Sequence, residues 1–192
     1  CGVPVAKHGN RSASGHSGSS EVLAELGVEP DVDPRLARQA LERLGITFLF
    51  APRYHPALKA AAAARKLLPF RTLFNLVGPL ANPLSPPFQM VGVSDAGEAR
   101  LIADSLVTLG TRRFVVVTGR DERTGAILDE VTLAGPTRVI HFDRQERVRR
   151  QGDAQPVCQE WDWMPEDFGL DRVDQRSLQV SGPVESASRI RA

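Results

Sequence analysis

The sequence predicts an α/β fold in which helices flank a central, mostly parallel sheet. Three apolar runs, at 46–50 (ITFLF), 89–93 (QMVGV) and 113–119 (RFVVVTG), have the continuous hydrophobicity of strands that are buried on both faces. Segments with helical periodicity at 33–44 and 95–109 precede or separate them. Such an alternation of strands and helices is typical of parallel strands joined by crossover helices.

Composition excludes several classes of protein. The chain has 192 residues, with 24 basic and 23 acidic side chains and a formal net charge of +1. It lacks the basic excess of a dedicated nucleic-acid binder and the acidity of a disordered tail. No run approaches the roughly 18 apolar residues of a membrane span. We therefore expect neither a nucleic acid nor a membrane as partner.

The two cysteines and the chain ends also carry information. Cys1 and Cys158 form neither a disulfide framework nor a zinc-binding spacing, which favours a reducing, cytoplasmic setting. The first ten residues lack the apolar stretch of a secretory signal. Because the sequence begins without methionine and stops inside a helical pattern, we expect an internal piece of a longer protein.

The first half of the chain begins with a segment rich in glycine and serine. A short helix is predicted at 21–26. Asp33 is a typical N-cap, followed by proline, and predicts a helix that ends at Leu44 before Gly45. The apolar run at 46–50 is predicted to be a buried strand.

The second half of the chain again alternates between predicted helices and strands. An alanine-rich helix is predicted at 56–68, and the prolines of 69–87 exclude a long helix there. Asp95, with Glu98 three residues later, forms an Asx version of the capping box and opens the next helix. The segment 131–142 is predicted to be a hairpin or a pair of strands around its Gly-Pro.

The most informative segment is KHGNRSASGHSGS, at 7–19. It places hydroxyl groups, an amide and three flexible glycines beside two cations, which is the chemistry that binds a phosphate or diphosphate. A helix that begins near Ser19 would direct its N-terminus at the same anion. A mobile polar loop is the alternative. His8 and His16 are better interpreted as ordinary histidines than as metal ligands.

A second motif, LDEVTLAGPT, carries the adjacent carboxylates of Asp129 and Glu130 ahead of a strand. At a bend, two such carboxylates can share a hard cation. Mg²⁺ usually takes one or two protein carboxylates and completes its shell with water and phosphate oxygens. This suits a diphosphate substrate, and an exposed acidic pair without function is the alternative.

Two further segments offer ligand contacts. Arg71 lies in FRTLFNLVGPLANP and is suited either to a bidentate pair with a small carboxylate or to a structural ion pair. Tyr54 and His55 follow the strand at 46–50, where open α/β sheets often contact ligands, and simple packing is equally compatible. The basic stretch at 144–150 is interpreted as solvated surface.

Four of these blocks, in order, resemble one known family. VAKHGNRSASGHSGSSEVLAELGV, FLFAPRYHPALK, RTLFNLVGPLANP and LDEVTLAGPTRV look like anthranilate phosphoribosyltransferase, and they span about 5 to 139. GPVESASRIRA is similar to the start of a later helix of that family. Four blocks with compatible spacing are far more specific than one.

The resemblance implies an enzyme of tryptophan biosynthesis. It would transfer the phosphoribosyl group of phosphoribosyl diphosphate (PRPP) to anthranilate, giving N-(5-phosphoribosyl)anthranilate and diphosphate. Residues 1–192 would form the α/β domain, with remnants of a small helical domain against which 55–85 would pack. The intact protein would be a cytoplasmic homodimer. The family's GTGGD loop and most of its helical domain would precede this sequence.

The resemblance also assigns residues, with no side chain acting as acid or base. Mg²⁺ would bind to Asp129 and Glu130, and anthranilate would contact Asn10, Arg71 and His55. The residues implied to bind PRPP are Lys7, His8, Gly9, Asn10, Arg11, Ser12, Ala13, Ser14, Gly15 and Ser19.

Two local departures from the family pattern are visible. Gly15 and His16 stand where the family more often has a serine and a cation, and the approach RDERTGAI before Asp129 is longer than usual. Two alternatives stay open. One is an enzyme like pyrimidine nucleoside phosphorylase, which shares the fold, and the other is a non-catalytic relative that binds nucleic acid.

Overall fold

The computed structural model describes residues 2–11, 17–57, 73–145 and 158–192, with backbone alone for 73–75. The chain divides into two compact units. The first comprises Cys1–Gly78, Asn82–Leu84 and Val180–Ala192, and the second comprises Pro79–Ala81 and Ser85–Gln179. Most of the predicted alanine-rich helix at 56–68 lies outside the described residues.

The first unit is built on two parallel strands. In register, Lys7 of the first strand lies opposite Phe48 of the second. The second strand is buried apart from its first residue. The elements of this unit are β1 (Val5–Gly9), α1 (Ser19–Glu25), α2 (Pro34–Leu44), β2 (Ile46–Phe50), α3 (Ala51–Tyr54), α4 (Leu73–Leu80, whose last two residues belong to the second unit) and α7 (Pro183–Arg191).

The ends of α2 confirm the capping signals in the sequence. The Asp33 carboxylate accepts a hydrogen bond from the backbone N–H of Arg35 at 2.8 Å, and Pro34 occupies the first helical position. Gly45 closes the helix with φ 75°. Only a residue that tolerates a left-handed conformation ends a helix in this way, so the turn delivers the chain directly into β2.

The second unit is a sheet with one long helix on it. Strand order in the sheet is β3-β4-β6-β7, and β5 pairs with β4. Its elements are β3 (Phe88–Gly92), α5 (Ala96–Thr108), β4 (Arg113–Arg120), β5 (Ile127–Leu128), β6 (Thr137–Asp143), β7 (Gln159–Trp163), a 3₁₀ turn (Pro165–Phe168) and α6 (Gln175–Leu178).

The core of the second unit lies between α5 and the sheet. Ile102 and Leu106 of α5 are almost fully buried, as are Phe114 and Val116 of β4. Phe114 also stacks on Phe142 of β6, with ring centroids 5.3 Å apart. The alternation of side chains along β4 therefore directs one face of the sheet toward α5.

The predicted α/β class is confirmed, but the expectation of a mostly parallel sheet is wrong for the described residues. β1 with β2 and β3 with β4 are parallel pairs, whereas β4 with β5, β4 with β6 and β6 with β7 are antiparallel. The connection at 121–136 contains no helix. When the chain returns to the sheet without a crossover helix, the next strand runs antiparallel to the one before it.

Two local predictions also need correction. Within 131–142, only the part from Thr137 onward is a strand, and its partners are β4 and β7 rather than 131–136. The strand β7, with Trp161 and Trp163, was not predicted because the polar section around it hides its alternation. In the described ranges, no helix has both the length and the apolar character needed to cross a membrane.

Candidate functional site

The acidic pair lies at the carboxyl ends of the parallel strands β3 and β4. Asp129 and Glu130 follow β5 directly and run over two strand-end glycines. A Cβ on Gly92 would lie 1.6 Å from the carbonyl oxygen of Asp129, and a Cβ on Gly119 would lie 2.5 Å from that of Glu130. The backbone of the pair therefore rests where these strands carry no side chain.

The loop that carries the pair is held by hydrogen bonds on its far side. The backbone N–H of Thr132 donates to the hydroxyl of Thr137 at 3.1 Å, and the N–H of Ala134 donates to the hydroxyl of Thr132 at 3.0 Å. The N–H of Arg120 donates to the carbonyl of Pro136 at 2.9 Å. The carboxyl-terminal half of the loop is thus tied to the sheet, and its other end follows β5, which pairs with β4.

The unusually long approach to Asp129 forms a compact hairpin. The buried Asp121 accepts hydrogen bonds from the Thr124 hydroxyl at 2.6 Å and from the N–H of Arg123 at 2.9 Å. The hydroxyl of Thr124 is the main cause that lowers the pKa of Asp121. The extra residues are therefore ordered by their own carboxylate rather than left as a loose insertion.

The carboxylates of the pair have no internal partner. In the described residues, neither Asp129 nor Glu130 makes a side-chain hydrogen bond or an ion pair, and both are exposed. Partial desolvation, and then the neighbouring charge of Asp129, raise the pKa of Glu130. Most other carboxylates of this unit are paired, including Asp121, Asp143, Glu160, Asp162, Glu166 and Asp174.

This donor set fits a hard divalent cation. Two adjacent carboxylates repel each other, and a cation between them removes the repulsion. Within the described ranges, no group of three or more acidic, histidine or cysteine side chains is placed to hold a metal. A cation at Asp129 and Glu130 would therefore keep positions for water and phosphate oxygens, as Mg²⁺ usually does.

The cation-rich segment begins within β1 of the first unit, which contains Lys7, and continues beyond the strand to Arg11. Lys7 and Arg11 are exposed, and in the described residues neither has an ion pair. The side-chain oxygen of Asn10 accepts a hydrogen bond from the backbone N–H of Arg11 at 2.8 Å. Ser19 is the exposed first residue of α1. Uncompensated positive charge is thus held beside ordered backbone, as binding of a polyanion requires.

Two histidines meet beside this segment. The rings of His8 and His55 pack edge to face with centroids 5.1 Å apart, and the Nε2 atoms of both are buried without a hydrogen-bond partner in the part of the chain that the structure describes. The hydroxyl of Ser17 is buried in the same way. Burial first, and the nearby imidazole of His55 second, lower the pKa of His8 and keep it neutral. Buried polar atoms are usually hydrogen-bonded, so these three atoms need partners from outside the described residues, such as water or a ligand.

The predicted residues divide between the two units. Lys7, His8, Gly9, Asn10, Arg11, Ser19 and His55 belong to the first, and Asp129 and Glu130 to the second. The residues outside the described ranges are Ser12, Ala13, Ser14, Gly15, His16 and Arg71.

Sequence reasoning missed the residues that support the acidic pair. These are Gly92 and Gly119 beneath it and Thr132 and Thr137 behind it. The only sequence signal was the glycine near the end of each of the two apolar strands, and this signal does not tell which loop approaches.

Comparisons with known proteins agree with the motifs. The family model described as "Glycosyl transferase family, a/b domain" matches residues 1–192. The anthranilate phosphoribosyltransferase of Geobacillus kaustophilus is 44% identical over 191 residues, covering 100% of this chain and 52% of that protein. The chain spans about half the length of the curated relatives it matches.

Solved structures show the same similarity. A crystal structure of anthranilate phosphoribosyltransferase from Thermus thermophilus has a TM-score of 0.80 and 38% identity, covering 99% of this chain and 51% of that one. The enzyme from Saccharomyces cerevisiae, in complex with PRPP and Mg, has a TM-score of 0.79 and 25% identity, covering 97% of this chain and 47% of that one.

Proposed function

Since the chain belongs to the glycosyl transferase family through its a/b domain, we propose that the protein transfers the phosphoribosyl group of PRPP to the amino nitrogen of anthranilate. The products are N-(5-phosphoribosyl)anthranilate and diphosphate, and the reaction belongs to tryptophan biosynthesis. The relatives with this activity in their names support the proposal.

The acidic pair is the observation that carries the proposal. Asp129 and Glu130 are held on an anchored loop, exposed, and without an internal partner among the described residues. A carboxylate pair without a partner weakens a fold unless a cation joins it, because like charges repel. Mg²⁺ is the cation that usually accompanies a diphosphate group, and the yeast relative contains both PRPP and Mg.

PRPP binding is assigned to the end of β1 and the segment that follows it. Lys7 and Arg11 supply positive charge, while Gly9 permits close approach of the backbone. A Cβ at Gly9 would lie 3.1 Å from the ring of Phe48 in β2. The complete set comprises Lys7, His8, Gly9, Asn10, Arg11, Ser12, Ala13, Ser14, Gly15 and Ser19.

Anthranilate is assigned to Asn10, Arg71 and His55. Anthranilate carries one carboxylate, and an arginine is the side chain best suited to hold it in a planar pair. The ring of His8, whose pKa is lowered by burial, packs against His55, and the buried Nε2 atoms of both rings have no hydrogen-bond partner among the described residues, so they are available to an aromatic amine. A neutral lining also avoids protonating the amine that has to react.

The chemistry is a displacement at the anomeric carbon of ribose. The C–N bond forms while the C–O bond to diphosphate breaks, and the amine nitrogen then loses a proton to solvent. An aryl amine is largely unprotonated at pH 7, so no side chain has to act as a base. Lys7 and Arg11 stabilise the charge that develops on the departing diphosphate. When bound, Mg²⁺ would supply Lewis-acid neutralisation of phosphate charge.

Several wider assignments belong to the same proposal. The protein acts in the cytoplasm, where cysteines stay reduced. Residues 1–192 form the phosphoribosyltransferase α/β domain, 55–85 pack with the helical domain, and the intact enzyme is a homodimer. The first assignment follows from cysteine usage, and the other three follow from the family resemblance.

The test replaces both carboxylates by amides of the same shape. We expect Asp129→Asn with Glu130→Gln to lower turnover at least tenfold in the intact enzyme and to raise its Mg²⁺ requirement, measured as initial rate across a Mg²⁺ titration. Asp171→Asn, at an exposed carboxylate of the same unit, is the matched control. An unchanged Mg²⁺ dependence in the double variant would reject the metal assignment.

A further inference from the structure

The loop of the acidic pair depends on one buried hydroxyl group. Thr137, the first residue of β6, is 1% exposed, and its Oγ1 accepts the backbone N–H of Thr132 at 3.1 Å. Thr132 is 5% exposed, and its own hydroxyl accepts the N–H of Ala134. A buried backbone N–H without an acceptor is costly, so the position of Thr132 is tied to the Thr137 hydroxyl.

The side chain of Thr132 lies beside the backbone of Glu130. Both pack closely against Gly119, where a Cβ would lie 2.5 Å from the carbonyl oxygen of Glu130 and 3.0 Å from Cγ2 of Thr132. Only one residue separates the two along the chain. A movement of Thr132 therefore has to move the peptide that carries the Glu130 carboxylate.

The other supports of the loop act elsewhere. Gly92 receives the carbonyl of Asp129, and Arg120 holds the carbonyl of Pro136 at the far end of the loop. Among the contacts described for this loop, the Thr137 to Thr132 hydrogen bond is the one nearest to Glu130 that a side chain supplies. Since the carboxylates have no partner of their own among the described residues, their direction is set by these backbone anchors.

We propose that Thr137 is a positioning residue, whose hydroxyl fixes the Thr132 turn and thereby directs Glu130 toward the bound cation. The proposal rests on the function given above, because it presumes that Asp129 and Glu130 hold Mg²⁺. Groups that orient the ligands of a metal typically change its affinity by about 10- to 100-fold when they are removed. The shape of the loop is thus part of the metal site.

The test compares substitutions of nearly equal size in the full-length protein. Thr137→Val removes the hydroxyl and keeps the volume, whereas Thr137→Ser keeps the hydroxyl. Thr118→Val is the control, because it also replaces a buried threonine by valine, but on the face of the sheet toward α5. The probe is Mn²⁺ with PRPP in the absence of anthranilate, followed by water-proton relaxation. Amide hydrogen exchange at Thr132 reports on the hydrogen bond itself.

We expect Thr137→Val to weaken Mn²⁺ binding about tenfold and to speed exchange at Thr132, while Thr137→Ser and Thr118→Val bind like the native protein. If Thr137→Val does not fold, Thr137→Ala takes its place, since it leaves room for a water molecule. Native Mn²⁺ binding in the folded variant overturns the proposal, as does equal weakening by Thr118→Val.

The same titration separates this proposal from the function beneath it. Asp129→Asn with Glu130→Gln is measured beside the threonine variants. Native Mn²⁺ binding in that double variant means that the metal assignment itself is wrong. Lost binding there, together with native binding in Thr137→Val, means that the acids hold the metal without help from Thr137.

Discussion

Gly92→Ala is the sharpest perturbation that the structure offers. The new Cβ would lie 1.6 Å from the carbonyl oxygen of Asp129 and 2.6 Å from its carbonyl carbon, whereas real contacts of this kind are not shorter than 3.0 Å. Both obstructing atoms belong to the backbone of Asp129 and not to a flexible side chain, so the peptide after Asp129 must move by well over an ångström. Overpacking of this kind typically costs about 1–3 kcal/mol of stability.

A shift of that size should affect catalysis more than folding. A misplacement of about 1 Å at a reacting centre can cost about 100-fold in rate. We therefore expect Gly92→Ala to unfold at lower urea concentration, with a loss of about 1–3 kcal/mol, and to lose at least tenfold in Mn²⁺ affinity with PRPP present.

Gly97→Ala is the matched control for this experiment. It adds the same methyl group in the same unit, where the nearest atom is the side-chain oxygen of Asp95 at 3.1 Å. We expect native metal binding from it. The reasoning is refuted if Gly92→Ala binds Mn²⁺ like the native protein, or if its loss of affinity is matched by Gly97→Ala.

Two further predictions concern charge and substrate. Because the folded-state pKa of Glu130 is raised above its ordinary value of 4.5, its charged form opposes folding, so the associated stability is present below pH 4.5 and is lost as the pH rises through the raised value. Glu130→Gln should then raise the free energy of unfolding of the metal-free protein at pH 7, by at most about 1 kcal/mol for so exposed a group, and should leave it unchanged at pH 4. Urea unfolding at the two pH values measures the difference, and an equal gain at both would contradict this cause. Arg71→Ala should raise the KM for anthranilate more than the KM for PRPP in steady-state assays, because its guanidinium is assigned to the carboxylate of the acceptor, and an equal rise in both would remove that assignment.

Much of the fold could be predicted from local patterns. Asp33 and Asp95 cap helices where their spacing indicated, since each carboxylate accepts a backbone N–H only two or three residues away. Such interactions need no information from the rest of the chain. The strands β2 and β4 were recognisable for a similar reason, because continuous apolar runs have few alternatives to burial. The run at 89–93 also belongs to a strand, β3, but its predicted burial on both faces is wrong, because Met90 is 59% exposed.

The direction of the strands was beyond these patterns. Whether β6 runs parallel or antiparallel to β4 depends on how the chain returns from Arg120 to Thr137, and apolar content is the same in both cases. β7 was missed because Trp161 and Trp163 alternate with acidic residues, which made the segment look like a polar loop. In the structure these acids form ion pairs, among them Glu160 with Arg138. These partners are distant in sequence, so neither member predicts the other.

The sequence by itself determined the chemistry of the candidate site: a cation-rich glycine-serine segment, an adjacent pair of carboxylates, and the order of both along a recognisable family pattern. Only the tertiary structure decided how that pair is held, with Gly92 and Gly119 beneath it and Thr137 behind it. Side-chain type is a local property that any reader of the sequence can see. The close approach of the loop to the two strand ends arises only when distant segments pack. Gly92 and Gly119 are required because folding brings the carbonyl groups of Asp129 and Glu130 to the positions that their side chains would occupy.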